Sequence, residues 1–409
     1  MKICDLTQAY TDQSGGIKTY IDSKRQYISR YSNNKHLLII PGEKDYAEKN
    51  GNLTVYQVKS PVIPNCEPYR FILRLWKVFS ILKEEEPDII ELGSPYVLPW
   101  PAFYYRQFKK CVIFGFYHTD FPDAYVKPFI QQSVVSIFTN SGVKIARSYS
   151  KLIYNQTDAV FTSSGSFQSM LTVDLFKPVH YVALGVDINL FHPAKRSYAL
   201  RRSLGVRDDD VLLIYAGRMD QEKKVDQILS AFRILTIRRK YKLLLIGEGP
   251  LRKSLEGESQ NLPGVIFRPY IENRSLLAKY LASSDIYVTA GPYETFGLSV
   301  LEAQASGLAS VGVDAGALQE RITPEIGILG EVNNPDQFAV NILKIAENGL
   351  FRKKEAARKT VESNYSWTGT FQKIFTFYEH YYKLKSIKYS SPNQLKNLVN
   401  IPVKNYFSR

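Results

Sequence analysis

The apolar positions of this chain form short runs separated by helical stripes, and the alternation persists over most of its length. Met1–Leu6, His36–Ile40, Leu53–Val58, Asp88–Leu92, Val112–Tyr117, Ala159–Thr162 and Tyr181–Leu184 are apolar, β-branched or aromatic stretches of strand length. Between them, Ile17–Tyr27, Tyr69–Lys83 and Val143–Tyr154 carry helical spacing. Near-continuous apolar strands alternating with helices predict a parallel sheet covered on both faces.

Past Asp187 the pattern restarts. Leu190–Pro193 and the charged stretch Lys195–Arg202 read as a link, and Val211–Ala216 is a new strand. A helix Val225–Ile237 follows, with Val225, Ile228, Leu229, Phe232 and Leu235 on one stripe. Strands Lys242–Ile246, Val265–Phe267, Asp285–Ala290 and Ala309–Val313 then alternate with helices Ser275–Ala282, Phe296–Ala305 and Pro335–Asn348. The expectation is an α/β protein with two doubly wound Rossmann-like domains, 1–190 and 191–365, facing each other across a cleft. A last segment, 366–409, starts with the aromatic helix Trp367–Leu384, which packs back on the first domain, and ends in a basic tail. In open parallel sheets ligands bind outside the carboxyl ends of the strands. The candidates are therefore residues just past strands.

Composition narrows the class. The apolar and charged fractions are those of a globular protein. No window of about 18 uncharged apolar residues is present, and Ile3–Leu6 is too short for the core of a secretory signal. A cytoplasmic protein, peripheral on the inner face of a membrane, is expected. Cys4, Cys66 and Cys111 are widely spaced and read as free thiols. The formal net charge is +14, and after Glu379 the tail has Lys383, Lys385, Lys388, Lys396, Lys404 and Arg409 without an acid. Such a surface attracts anionic lipid or a phosphorylated ligand. No nucleic-acid recognition motif accompanies the charge, and no nucleic-acid partner is expected.

Five groups past strand ends can carry chemistry. Gly217-Arg218 follows Val211–Ala216, with Glu222-Lys223-Lys224 close behind. Arg218 offers a fork and Lys223 a point charge, which together suit a diphosphate leaving group. Gly291-Pro-Tyr-Glu-Thr-Phe-Gly297 turns into a helix, so the amides of Phe296, Gly297 and Leu298 are expected at a helix N-terminus, an anion site. Glu294 in the turn and Glu302 in the helix can accept hydrogen bonds from hydroxyls on either side of a phosphate, the layout of a nucleotide sugar. His118 lies just past Val112–Tyr117 and can bond a hydroxyl or bear charge near neutral pH. Gly247-Glu-Gly-Pro250 is half of a dinucleotide fingerprint and reads as a tight turn, as does Gly15-Gly16. Asp208–Asp210 precedes its strand, the wrong end of the sheet for a metal site.

These residues, Gly217-Arg-Met-Asp-Gln-Glu-Lys223, Ile246-Gly-Glu-Gly-Pro250, the Glu294-x7-Glu302 pair and Gly185-Val-Asp-Ile-Asn-Leu-Phe-His-Pro193, resemble glycosyltransferase family 4. Within it, His118-Thr-Asp-Phe-Pro122 is similar to glycolipid-forming mannosyl and sulfoquinovosyl transferases. The resemblance implies a GT-B fold and retaining, metal-independent transfer, with no cofactor beyond the nucleotide-diphosphate sugar. It implies catalytic roles for His118 and Glu294, and donor binding by Gly16, Arg218, Lys223, Phe296, Gly297, Leu298 and Glu302. The donor phosphate would lie by Gly16, the ribose by Glu302, the transferred sugar by Glu294, and the acceptor would be a lipid or growing glycan. Retention without an evident nucleophile implies front-face displacement; a covalent role for Glu294 is the other route to retention. Leu184, Pro269, Ala309 and Ala317 depart from the family pattern, which bears on donor-base and sugar choice. The competing reading is a non-catalytic GT-B-like protein that binds polyanions or anionic membrane. Retention of all five groups argues against it.

Overall fold

The computed structural model describes residues 1–11, 15–63, 69–127, 130, 139–236 and 240–390. Cys66, Gln13-Ser14 of the first glycine loop, and the tail with Lys396, Lys404 and Arg409 lie outside the described residues.

The described residues form two sheets. The first contains β1 (Lys2–Leu6), β2 (Lys35–Gly42), β3 (Tyr46–Asn50), β4 (Leu53–Lys59), β5 (Ile89–Leu92), β6 (Val112–Tyr117), β7 (Ala159–Thr162) and β8 (Val179–Tyr181), in the order β3-β4-β2-β1-β5-β6-β7-β8. All neighbours are parallel except β3 and β4. The second contains β9 (Val211–Ala216), β10 (Tyr241–Ile246), β11 (Val265–Arg268), β12 (Ile286–Val288), β13 (Ala309–Val313) and β14 (Gly327–Gly330), all parallel, in the order β11-β10-β9-β12-β13-β14. Strand order reverses between β1 and β5 in the first sheet and between β9 and β12 in the second, so each has one switch point at which a ligand site is expected.

Burial explains the pattern. β6 is buried along its whole length and β9 along most of it, because helices cover both faces. All five stripe residues of helix Val225–Leu235 are buried. The last helix, Trp367–Ser390, returns to the first sheet: the Tyr378 hydroxyl donates to Glu91, the Tyr382 hydroxyl to Asp88 at 3.2 Å, and Lys385 pairs with Asp158 at 3.0 Å. These side chains tie the chain end to β5, β6 and β7, as the aromatic pattern predicts. Cys4 and Cys111 are buried free thiols, and burial raises the pKa of both. Among the described residues, no helix is long and apolar enough to cross a membrane.

The structure moves three boundaries. The Tyr69–Lys83 stripe is helical only over Leu75–Glu85, because Val62 bridges Arg70 and Tyr69 accepts from Ile63, which holds the entry extended. β8 lies earlier than the Tyr181–Leu184 run and shares only Tyr181 with it, because Val182 still donates to Thr162 but the chain then leaves the sheet toward the link. The helix expected from Phe296 begins at Leu298, because Gly297 has the left-handed backbone angles φ 82° and ψ 46°. Strand β3, Tyr-Ala-Glu-Lys-Asn, is exposed and polar and carries no apolar signal.

Candidate active site in the cleft

The second-sheet wall is set by backbone against backbone. Gly217 donates to the Ile246 carbonyl at 3.0 Å and Met219 to that of Glu248 at 2.9 Å. A Cβ on Gly247 would lie 1.8 Å from the Gly217 carbonyl oxygen, and one on Gly249 2.6 Å from that of Met219, so only glycine lets the two loops lock. Arg218 is thereby fixed: its Nε donates to Asp220 at 2.7 Å, and its guanidinium lies 4.9 Å over the Tyr69 ring, which comes from the first-sheet side. Gly291 presses against the Glu222-Lys223 backbone, which brings the next turn onto Lys223.

Glu294 is the hub of that turn. Its Oε2 receives Lys223 Nζ at 3.0 Å, its Oε1 receives the Gly297 amide at 3.3 Å, and its carbonyl receives the Ala317 amide at 2.8 Å. The Ala317 departure from the family pattern thus leaves this amide contact in place. Burial opposes charge on Lys223, but Glu294 and Glu222 more than offset it and raise its pKa well above the ordinary value. An ammonium that stays charged therefore stands beside the N-terminus of helix Leu298–Ala305. Glu302, 5% exposed, is held by both terminal nitrogens of Arg274, whose guanidinium lies 4.9 Å over the Phe191 ring.

Phe296 differs from its expected place at the helix start. Its ring lies beneath the Arg321 guanidinium at 4.4 Å and its carbonyl receives Arg321 Nε at 2.9 Å, so its side chain is a buried support. Leu298 faces the first sheet, where a Cβ on Gly16 would lie 3.9 Å from it.

The opposite wall joins directly. The Thr295 hydroxyl donates to the His118 carbonyl, Ser163 Oγ to the Thr295 carbonyl at 3.4 Å, and Arg321 Nη2 to the Ser163 carbonyl at 3.0 Å. Glu320 receives Ser164 Oγ at 2.7 Å and the Ser166 amide at 2.9 Å. His118 is stacked on Phe116 at 4.0 Å and flanked by Tyr20 at 5.3 Å. Burial, with Lys24 nearby, lowers its pKa to about 3, so of its two expected roles the imidazole is suited to the neutral one at pH 7.

Sequence reasoning missed what lies beneath His118. Lys24, fully buried, pairs with Asp5 at 2.7 Å and Glu91 at 2.8 Å; Tyr20 and Tyr378 donate to Glu91, and His36 meets Asp5 at 2.7 Å. Burial raises Glu91 above the ordinary carboxylate range, while for Asp5 Lys24 and His36 overcome the burial and hold it below. The available signal was an acid inside each apolar strand, Asp5 in β1 and Glu91 in β5.

A pair of doubly wound sheets, with two cations, two carboxylates and a helix N-terminus at the second sheet's switch point, has the architecture of a GT-B glycosyltransferase. Residues 14–190 match the family described as Glycosyltransferase Family 4, and residues 198–366 match Glycosyl transferases group 1. The chain belongs to glycosyltransferase family 4 and is an enzyme of that class. It is 27% identical over 321 residues to a GDP-mannose-dependent alpha-mannosyltransferase of Corynebacterium glutamicum, covering 77% of this chain and 73% of that one. It is also 27% identical over 368 residues to a GDP-mannose-dependent alpha-(1-6)-phosphatidylinositol dimannoside mannosyltransferase of Mycobacterium tuberculosis, covering 88% and 92%. Sucrose-phosphate synthase of Thermosynechococcus elongatus shares the fold, with a TM-score of 0.77 at 19% identity over 94% of this chain and 99% of that one.

Proposed function

We propose that this glycosyltransferase moves a hexose, with retention, from a nucleotide-diphosphate sugar to a hydroxyl of a lipid-linked or glycan acceptor. The observation that carries the reading is Glu294 joined to both Lys223 and the Gly297 amide, which sets a hydroxyl-accepting carboxylate against a charged, amide-lined anion site. Arg218 and Lys223 take the diphosphate, Gly16 lies beside it, Glu302 receives the ribose hydroxyls as Arg274 yields, and Glu294 receives the sugar. His118, neutral, accepts or donates at the sugar's reacting face. The bond from the anomeric carbon to the β-phosphate oxygen breaks while the acceptor oxygen bonds from the same face, and the leaving phosphate takes the acceptor proton. Arg218 and Lys223 supply the positive charge for that leaving group, so the reading needs no metal or other cofactor. GDP-mannose is the proposed donor, because the two mannosyltransferase relatives are GDP-mannose-dependent.

Calorimetry tests the donor site. GDP-mannose should bind wild type more tightly than UDP- or ADP-sugars, and Lys223→Ala should weaken it by about 1.5–3 kcal/mol, the scale of a charged hydrogen bond. Unaltered affinity in the variant contradicts the assignment.

The same reading places the protein on an anionic membrane. Exposed Trp76, Tyr104 and Phe108 lie on or beside two packed helices, Leu75–Glu85 and Pro99–Tyr105, with Tyr104 and Phe108 in ring contact at 5.0 Å and exposed Lys83 and Lys109 nearby in sequence. Aromatic side chains among lysines suit the interface of an anionic bilayer. Trp76→Ser should weaken binding to vesicles containing phosphatidylinositol by about tenfold. Equal binding of wild type to neutral vesicles refutes the electrostatic part.

A further inference from the structure

We propose that Gln8 and Ser94 form a subsite that reads the hydroxyls of the acceptor, an uncharged polyol ring, on the first-sheet wall of the cleft. The proposal rests on the transferase reading above and assigns one of its two substrates.

Gln8 is 4% exposed and Ser94 7% exposed, yet neither the amide oxygen and nitrogen of Gln8 nor the hydroxyl of Ser94 has a hydrogen-bond partner. Buried polar groups are ordinarily paired, and each one left unpaired is costly, so two together call for a ligand. Thr7, between the two loops, follows the usual rule: its Oγ1 receives the Ala9 amide at 3.1 Å.

Topology brings the two residues together. β1 and β5 pair in parallel with Leu6 opposite Leu92, and Gln8 and Ser94 each follow by two residues. Past the strands the loops still touch: Gly93 donates to the Leu6 carbonyl at 3.0 Å, and a Cβ on Gly93 would lie 2.8 Å from Thr7 Oγ1. This is the switch point of the first sheet. The next strand, β6, delivers His118, so Gln8, Ser94 and His118 follow the carboxyl ends of three adjacent strands. The His118 carbonyl is bonded to Thr295, next to Glu294, which joins this row to the proposed reacting centre.

The chemistry of the pair selects the ligand. A primary amide offers two donors and an acceptor and a serine hydroxyl offers both functions, which matches vicinal hydroxyls. Neither residue is charged and each offers an acceptor beside its donors, which favours a neutral hydroxyl-bearing ligand over a phosphate. The donor-binding groups belong to the second sheet, so hydroxyl readers on the first-sheet wall face the other substrate.

Gln8→Met and Ser94→Ala test the inference with two soluble polyols, myo-inositol and methyl α-D-mannopyranoside, by following GDP release from GDP-mannose. Each substitution should raise the polyol KM by about 5–10-fold, the worth of one hydrogen bond. GDP affinity should stay unchanged, and the thermal midpoint should hold or rise, because an unpaired buried group has been removed. A response to inositol alone assigns a lipid headgroup, a response to the mannoside alone assigns a glycan, and either supports the subsite. A lowered midpoint with an unchanged polyol KM overturns it, as does wild-type turnover indifferent to both polyols while GDP-mannose still binds. Failure of wild type to bind GDP-mannose is a separate calorimetric result and removes the transferase reading itself.

Discussion

The walls of the cleft are built by different physics. On the second-sheet wall, Arg218, Lys223 and Glu294 lie within a few residues of strand ends and are positioned by turns in which glycines let backbone meet backbone. On the first-sheet wall, His118 rests on a buried lattice of Asp5, Lys24, Glu91 and Tyr378, drawn from two strands and two helices, one of them at the far end of the chain. A local motif can be read in one stretch of sequence; a lattice exists only once the chain has folded. The second wall should therefore lose function before stability, and the first should lose stability before function.

The largest expected effect breaks the lattice. Lys24→Met leaves two carboxylates in the core without their cation, and removing one partner from such a buried group costs about 3–5 kcal/mol. Urea unfolding should show that loss. Lys223→Ala should by contrast alter donor affinity while shifting the unfolding midpoint little, because Lys223 and Glu294 both keep contact with solvent. A small loss for Lys24→Met, or a large one for Lys223→Ala, would erase the distinction between the walls.

The same distinction governs what the sequence discloses. Strand and helix alternation is a local signal, so both sheets, the stripe of Val225–Leu235 and the return of Trp367–Ser390 are legible. Boundaries fail where a contact from outside a stripe overrides its pattern, as the Val62–Arg70 bridge does for the Tyr69 stripe. Gly297 fails for a different reason: its left-handed backbone postpones the helix start, and an N-terminal reading from periodicity alone passes through it. The site follows the same division. Glu294 and Lys223, 71 residues apart, each lie in a motif legible in its own stretch past a strand, whereas Arg274 on Glu302 and Arg321 on Phe296 bring in cations that no motif marks. Gln8 and Ser94 are silent for the same reason, since an unpaired group is defined by its surroundings.

His118 supplies the smallest test, and it sharpens the comparison because the residue sits on the first wall while its carbonyl is bonded to Thr295 of the second. Burial, with Lys24 nearby, depresses its pKa to about 3, below an unfolded value of about 6.5. Between those values the unfolded chain binds a proton that the folded chain does not, so stability rises with pH. The contribution is fully present above pH ~6.5 and is lost as pH falls toward ~3, at about 1.4 kcal/mol per unit. His36 and His180 are depressed as well, so the whole acid limb is not due to His118. His118→Gln should remove only its own share, so the stability difference between variant and wild type should change by about 1 kcal/mol between pH 6.5 and 5.5. Parallel curves over that interval would mean that the imbalance lies in His36 and His180 alone. They would also mean that the His118 ring is solvated enough to take up a proton, and its role in the cleft would then have to be that of a cation.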